Sequence, residues 1–166
     1  MKRCFLRLAV LAVLLAGAAQ AQWLDTTLSL GVGRWPSALA YDSADNKVFC
    51  ANTNSDNVTV IDGASNQIIT TVAAGGGGLC YNPQNNKVYC ANSNDDSLVV
   101  IDGASNQIIT TVAIGVGPHV LCHNRQNNKV YCTNQGSSRG DSGSVCLLYT
   151  SPSPRDYAAS RMPSSA

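Results

Sequence analysis

Beyond residue 21, apolar and polar positions alternate with a period of two, not with the period of a helix. The runs KVYCAN (87–92), SLVVID (97–102) and QIITTVA (107–113) are rich in Val, Ile, Thr and Tyr. Such residues suit a pleated, half-buried surface, so each run predicts a strand. Between them lie NSNDD and GASN, whose Gly reaches positive φ freely and whose Asn and Asp can bond their own backbone. A further short strand precedes each group at 39–41 (LAY), 79–81 (LCY) and 120–123 (VLCH). The pattern predicts units of four antiparallel strands, and no stretch has a helical period.

The unit repeats. VIDGASNQIITTVA fills residues 60–73 and recurs letter for letter at 100–113, while NKVFCAN from Asn46 returns as NKVYCAN from Asn86 and NKVYCTN from Asn128, spacings of 40 and 42. Four strands in about 40 residues is the blade of a propeller, which cannot bury its apolar face alone and must stack on a neighbour. Residues 39–72 and 79–112 predict two complete blades, and 120–145 the first half of a third. TTLSLGVG from Thr26 aligns with TTVAIGVG from Thr110, which predicts an outermost strand over 24–30. A ring closes with roughly four to eight blades. The expectation is an all-β β-propeller fragment of about two and a half blades.

The two ends follow other rules. Lys2, Arg3 and Arg7 precede a Leu/Ala/Val run at 8–16, and Ala19-Gln20-Ala21 is a small-x-small cleavage site, the pattern of a secretory signal peptide over 1–21. A membrane span needs about 20 apolar residues, more than Arg7 and Gln20 enclose. The expectation is an exported chain without a transmembrane segment: periplasmic, secreted or at the cell surface. At the other end, CLLYTSPSPRD (146–156) has no counterpart in the complete repeats and, with SRMPSSA (160–166), resembles a translated sequencing adapter. Residues 146–166 are therefore expected to be a non-native tail that packs on nothing.

Charge then narrows the partners. Between residues 22 and 145, Arg34, Lys47, Lys87, Arg125, Lys129 and Arg139 face nine aspartates and no glutamate, a net charge of −3. A phosphate-backbone binder carries a basic footprint that this module lacks, so nucleic acid is disfavoured.

Three tetrapeptides, Phe49-Cys50-Ala51-Asn52, Tyr89-Cys90-Ala91-Asn92 and Tyr131-Cys132-Thr133-Asn134, carry a family resemblance together with VIDG at Val60 and Val100 and VGRWPSALAYD from Val32. The repeat resembles that of the YVTN-family β-propellers, with Cys where the family name has Val. The resemblance covers residues 22–145. It implies a seven-bladed propeller class found in exported bacterial and archaeal proteins, including cell-surface proteins, and it does not fix one activity.

Several strings invite chemistry, and each has a plainer reading. Cys80 and Cys90, like Cys122 and Cys132, are ten residues apart across a hairpin, yet Cys50 faces Ala40 at the same offset. Small buried apolar side chains suit these slots better than disulfides. His119, Cys122 and His123 suggest a metal, but on a strand 119 and 123 share a face and 122 does not. His123 also fills the slot of Tyr41 and Tyr81, and His119 that of Ser37. SSRGDSGS (137–144) holds an adhesive tripeptide and a protease-like GDSG, without the base and oxyanion hole a nucleophilic serine needs. Gly75 to Gly78 lack the following helix of a phosphate loop, so they read as a flexible connection. Asp62 and Asp102 read as turn acceptors, as do Asn52, Asn92 and Asn134. No residue is assigned a catalytic, cofactor-binding or metal role.

The resulting expectation is a module for binding or scaffolding, with an unidentified protein or cell-envelope ligand as partner. The alternative is a piece of a propeller oxidoreductase, lyase or hydrolase whose catalytic groups lie on other blades.

Overall fold

Left-handed backbone at Asn and Asp sets the course of the chain. Asn46, Asn86 and Asn128 (φ near 50°), Asp56 and Asp96 (φ near 49°), and Asn66 and Asn106 (φ 57° and 61°) stand at corresponding corners of successive repeats. Short side chains that bond locally tolerate this region, so the chain reverses at the same place in each unit. The computed structural model describes residues 25–137 and 142–150. The leader expected over 1–21, the Arg139-Gly140-Asp141 string and tail residues 151–166 lie outside the described residues.

The reversals give three antiparallel meanders. Sheet I holds β1 (Pro36–Asp42), β2 (Lys47–Asn52), β3 (Asn57–Asp62) and β4 (Ile68–Val72). Sheet II holds β5 (Leu79–Asn82), β6 (Lys87–Asn92), β7 (Ser97–Asp102) and β8 (Ile108–Ala113). Sheet III holds β9 (Pro118–Asn124), β10 (Lys129–Asn134) and β11 (Ser144–Tyr149). One 3-10 turn at Thr53–Ser55 is the helical element among the described residues. None of these has a helix long and apolar enough to cross a membrane.

Strand alternation buries a different set of residues on each face of a sheet. Ala40, Phe49, Val58 and Val60 of sheet I pack against Leu79, Tyr81, Val88, Cys90, Val99 and Ile101 of sheet II. The other face of sheet II, with Cys80, Tyr89, Ala91, Leu98 and Val100, packs against Leu121, Val130, Cys132, Cys146 and Leu148 of sheet III. Each fully buried Val, Leu, Ile or Phe contributes about 1.5–3 kcal/mol, so these two seams hold the stack together. Phe49 is wholly buried, and truncating it to Ala would cost about 3–5 kcal/mol.

Polar clamps follow the same seams. Lys47 Nζ crosses from sheet I to donate to the carbonyls of Gly103 and Ala104, both at 2.8 Å, and to Asn106 Oδ1 at 3.2 Å. Asp42 is buried beside them; its Oδ1 accepts the Ala44 and Asp45 amides at 2.9 and 3.2 Å. A side chain at Gly103 would come within 2.8 Å of Asp42 Oδ2, which explains the glycine in that turn.

Two expectations fail here. Residues 25–30 form no strand, because no neighbouring edge pairs with them; Leu28 and Leu30 instead border a hollow beside sheet I. The tail does not begin as unpacked coil, because residues 144–149 pair in full with β10. SVCLLY occupies the slot of SLVVID in sheet II, with Cys146 and Leu148 where Val99 and Ile101 stand. An open edge and alternate apolar residues suffice for a strand, and this segment has them.

Candidate functional site

The first strands of the three sheets converge on one pocket of about 290 Å³. Register explains its wall. Ser37, Gly77 and His119 hold the same slot in successive repeats, as do Ala38, Gly78 and Val120, and Leu79 pairs off with Leu121. Thr53 and Ser93, each following a signature asparagine, complete the lining. The wall therefore offers three hydroxyls and one imidazole above an apolar floor.

Hydrogen bonds fix two of the hydroxyls. Thr53 Oγ1 donates to Ser37 Oγ at 2.7 Å, and Ser37 Oγ donates to the Gly76 carbonyl at 3.0 Å. A serine committed to a carbonyl has no base to take its proton, so Ser37 is a polar contact and not an activated nucleophile. Gly77 and Gly78 are part of this wall, and the run 75–78 is the expected connection between sheets I and II. A Cβ at Gly76 would stand 2.3 Å from the Asn52 carbonyl oxygen, at Gly77 2.5 Å from that of Ala91, and at Gly78 2.2 Å from that of His119. Backbone packs on backbone here, and only glycine allows the approach.

Trp35 was not foreseen. It lies two residues before Ser37, its carbonyl accepts the Thr53 amide at 3.0 Å, and the residue is 70% exposed. Its φ is +60°, and the same slot in the next two repeats holds Gly75 and Gly117 at φ +82° and +65°. A bulky residue in left-handed backbone stores strain, and such strain clusters at functional sites. The signal lay in the sequence, where a tryptophan replaces a repeated glycine.

The other candidates sort into structural roles. Among the described residues, no group of three or more His, Cys, Asp or Glu could hold a metal ion. His119 lines the pocket, whereas His123 lies four residues along β9, about 13 Å away. His123 Nε2 lies 3.4 Å from Asn128 Oδ1, repeating the contacts of Tyr41 with Asn46 and Tyr81 with Asn86 at 3.1 and 3.0 Å. Cys122 is exposed on the opposite face, level with Tyr131.

Asp62 Oδ1 accepts the Ser65 amide at 2.7 Å, the Ser65 hydroxyl at 2.8 Å and the Ala64 amide at 3.0 Å. Those bonds, the Ser65 amide first, hold its carboxyl below the ordinary value. Asp102 repeats the turn, and the Ser105 amide and hydroxyl lower its carboxyl in the same way. Asn92 is a turn acceptor for the Asn94 and Asp95 amides at 3.1 and 3.3 Å. Asn52 departs from that reading: its Nδ2 donates to Asn57 Oδ1 and Thr59 Oγ1, both at 2.9 Å, across the hairpin.

Register also separates the cysteines. Cys80 pairs with Tyr89 and Cys90 with Leu79, so the two thiols point to opposite faces; Cys122 and Cys132 are offset in the same way. Cys50, Cys90 and Cys132 fill buried strand slots. Burial pushes the Cys90 thiol up to about 12 and, with neighbouring thiols adding to it, Cys80 and Cys132 to about 11.

Stacked meanders whose first strands meet at one pocket define an all-β, propeller-like arrangement. Among solved structures the chain is similar to hydrazine synthase of Kuenenia stuttgartiensis, with a TM-score of 0.63 and 18% identity. The match covers 78% of this chain and 36% of that one, so the chain spans about a third of its neighbour, and the likeness is one of fold. No protein-family model matches the chain, and no curated protein matches it.

Proposed function

We propose that this chain is an exported β-propeller module of the YVTN repeat type, with about two and a half to three blades of a larger ring, that acts in binding or scaffolding. Its ligand site is the pocket at the head of the first strands. The observation that carries this reading is Trp35, which keeps an exposed indole in backbone that the repeat elsewhere gives to glycine. An exposed aromatic residue whose carbonyl is bonded to the amide of Thr53, in the pocket's wall, suits a small neutral ligand or a side chain of a protein partner. The cell envelope is where an exported module meets such groups. The Ser37 and Thr53 hydroxyls are engaged with each other and with the Gly76 carbonyl, which supports recognition over nucleophilic chemistry at Ser37.

The test is a nuclear magnetic resonance titration of the labelled chain with peptidoglycan fragments, envelope glycans and short peptides. Binding should shift the Trp35 indole and the amides of Gly77, His119 and Val120, and Trp35→Gly should weaken it about tenfold, the loss of one aromatic anchor. Shifts confined to residues far from Ser37 and His119 would overturn the assignment of the pocket.

A further inference from the structure

Cys50, Cys90 and Cys132 hold one slot in the second strands of the three sheets, and each sheet sets a different residue opposite it. On the third strand, Cys50 faces Thr59 and Cys90 faces Val99, whereas Cys132 faces Cys146. Residues directly opposite each other in an antiparallel pair point to the same face. Among the described residues, sheet III is therefore where this slot brings two thiols side by side. Their face is the inner one: Cys132 is buried in the second core, and the half-buried Cys146 packs against it.

The spacing suits a bond. Directly opposite Cα atoms in an antiparallel pair lie about 4.5–5.5 Å apart, and a disulfide spans about 4.4–6.8 Å. Opposite Cβ atoms lie about 4.5–5.5 Å apart and a disulfide holds them at about 3.5–4.5 Å, so one strand must close in by roughly 1 Å. The strand β11 can do so, because it is the edge of sheet III and pairs with β10 alone. Electrostatics reports the same closeness. Burial first, and then the charge of the neighbouring Cys146, pushes the Cys132 thiol up to about 11.

We infer that Cys132 and Cys146 form a redox pair, which closes to a cross-strand disulfide and pins β11 in its register. The oxidant is a small-molecule disulfide. Cys146, the more accessible thiol, gives up its proton, and its thiolate attacks one sulfur of the reagent. The reagent's S–S bond breaks, one thiolate leaves with the electron pair, and a mixed disulfide remains on Cys146. Cys132 then loses its proton and attacks the Cys146 sulfur, which breaks the mixed bond and releases the second thiolate. The two protons end on the two released thiols; the protein is oxidised by two electrons and the reagent reduced by two. Because the thiolate is the attacking form, the buried Cys132 makes the second step the slower one, and it quickens as pH rises. The bond closes residues 132–146 into a covalent loop of 15 residues.

The test incubates the folded, full chain with oxidised glutathione at mildly alkaline pH, blocks free thiols, and digests with trypsin without reductant. Peptides 130–139 and 140–155 should be recovered joined, lighter than their sum by two hydrogens, and a reductant should part them. Cys132→Ser should stop at a glutathione mixed disulfide on Cys146, and Cys146→Ser should leave Cys132 free, with circular dichroism checking that each is folded. In the linked chain, the amides of residues 144–147 should exchange with deuterium on the order of a hundredfold more slowly, the constraint that closing such a loop supplies. Both thiols recovered free from the oxidised wild type would overturn the inference without any variant. So would Cys146 linked to Cys80 or Cys122, or a disulfide-bonded dimer. Unchanged exchange in the linked chain would overturn the pinning of β11.

Discussion

The amide of Gly78 donates to the carbonyl of His119 across 3.1 Å, so sheets II and III share a backbone hydrogen bond at the mouth of the pocket. The Gly78 carbonyl meanwhile accepts the Ala91 amide at 2.9 Å within sheet II. One residue thus joins a hairpin to its neighbour. Gly78→Ala would drive a Cβ to 2.2 Å from the His119 oxygen and separate the strands. Denaturant unfolding should show a loss of about 1–3 kcal/mol, the usual cost of forcing volume into a packed site. An unchanged midpoint would mean that this seam yields freely.

Trp35 gives the opposite sign. Its left-handed φ of +60° costs about 1–2 kcal/mol in an L-residue, a cost that glycine avoids. Trp35→Gly should therefore raise the melting temperature while it weakens ligand binding. Trp35→Phe should leave stability where it is, because it keeps the Cβ. A destabilised glycine variant would show that the exposed indole packs on something.

Acid sensitivity follows from the two DGAS turns. The carboxyls of Asp62 and Asp102 lie below their ordinary value, chiefly through the Ser65 and Ser105 amides. A depressed carboxyl stabilises the fold above the unfolded value of about 3.9 and loses that contribution as pH falls through its folded value. Melting temperature should thus hold from neutrality to about pH 4 and decline below it. Ser65→Ala and Ser105→Ala should move both carboxyl titrations upward, read by carbon-detected resonance titration. Titrations that stay put would show that the amides alone set them.

Thiol chemistry separates the cysteines by face. Cys122 is exposed, while Cys90 is buried with its thiol pushed up to about 12. A maleimide at neutral pH should label Cys122 first and Cys90 only on unfolding, since the thiolate is the nucleophile. Peptide mapping without reductant should recover Cys80 and Cys90 unlinked, because adjacent register positions point them apart. A Cys80–Cys90 crosslink would contradict that register.

The strands were legible because alternation and turn chemistry agree: Asn46, Asn86 and Asn128 mark reversals whether read as letters or as φ angles. Internal repetition also made His123 readable, since a residue in the slot of two tyrosines inherits their hydrogen bond. The pocket was not legible, because Ser37, Gly77 and His119 meet only when three units stack, and no spacing along one strand announces that. The part that Gly77 and Gly78 play in the wall stayed hidden for a related reason. Glycine runs look alike in a slack loop and in a seam where backbones touch, and the difference lies in the neighbour, here Asn52, Ala91 and His119. The tail misled in the other direction, since departure from the repeat's letters hid an apolar alternation that fits the same slot.

That alternation makes the final prediction. Along β11, Cys146 and Leu148 face sheet II and join the second core, whereas Val145, Leu147 and Tyr149 face outward. Leu148 is half-buried and pairs with Val130, which is wholly buried, so Leu148→Ala opens space beside a packed core. Full burial would make that truncation cost 2–5 kcal/mol, and half-burial scales it to about 1–2 kcal/mol. Leu147→Ala, one step along the same strand, should change stability by less than about 0.5 kcal/mol, because Leu147 is exposed. The contrast reads register directly, because a shift by one residue would exchange the two results. Equal and negligible effects would mean that residues 146–149 add nothing to the fold, as their resemblance to an adapter first suggests. A large Leu148 effect beside a small Leu147 effect would show that the strand completes sheet III whatever the origin of its sequence.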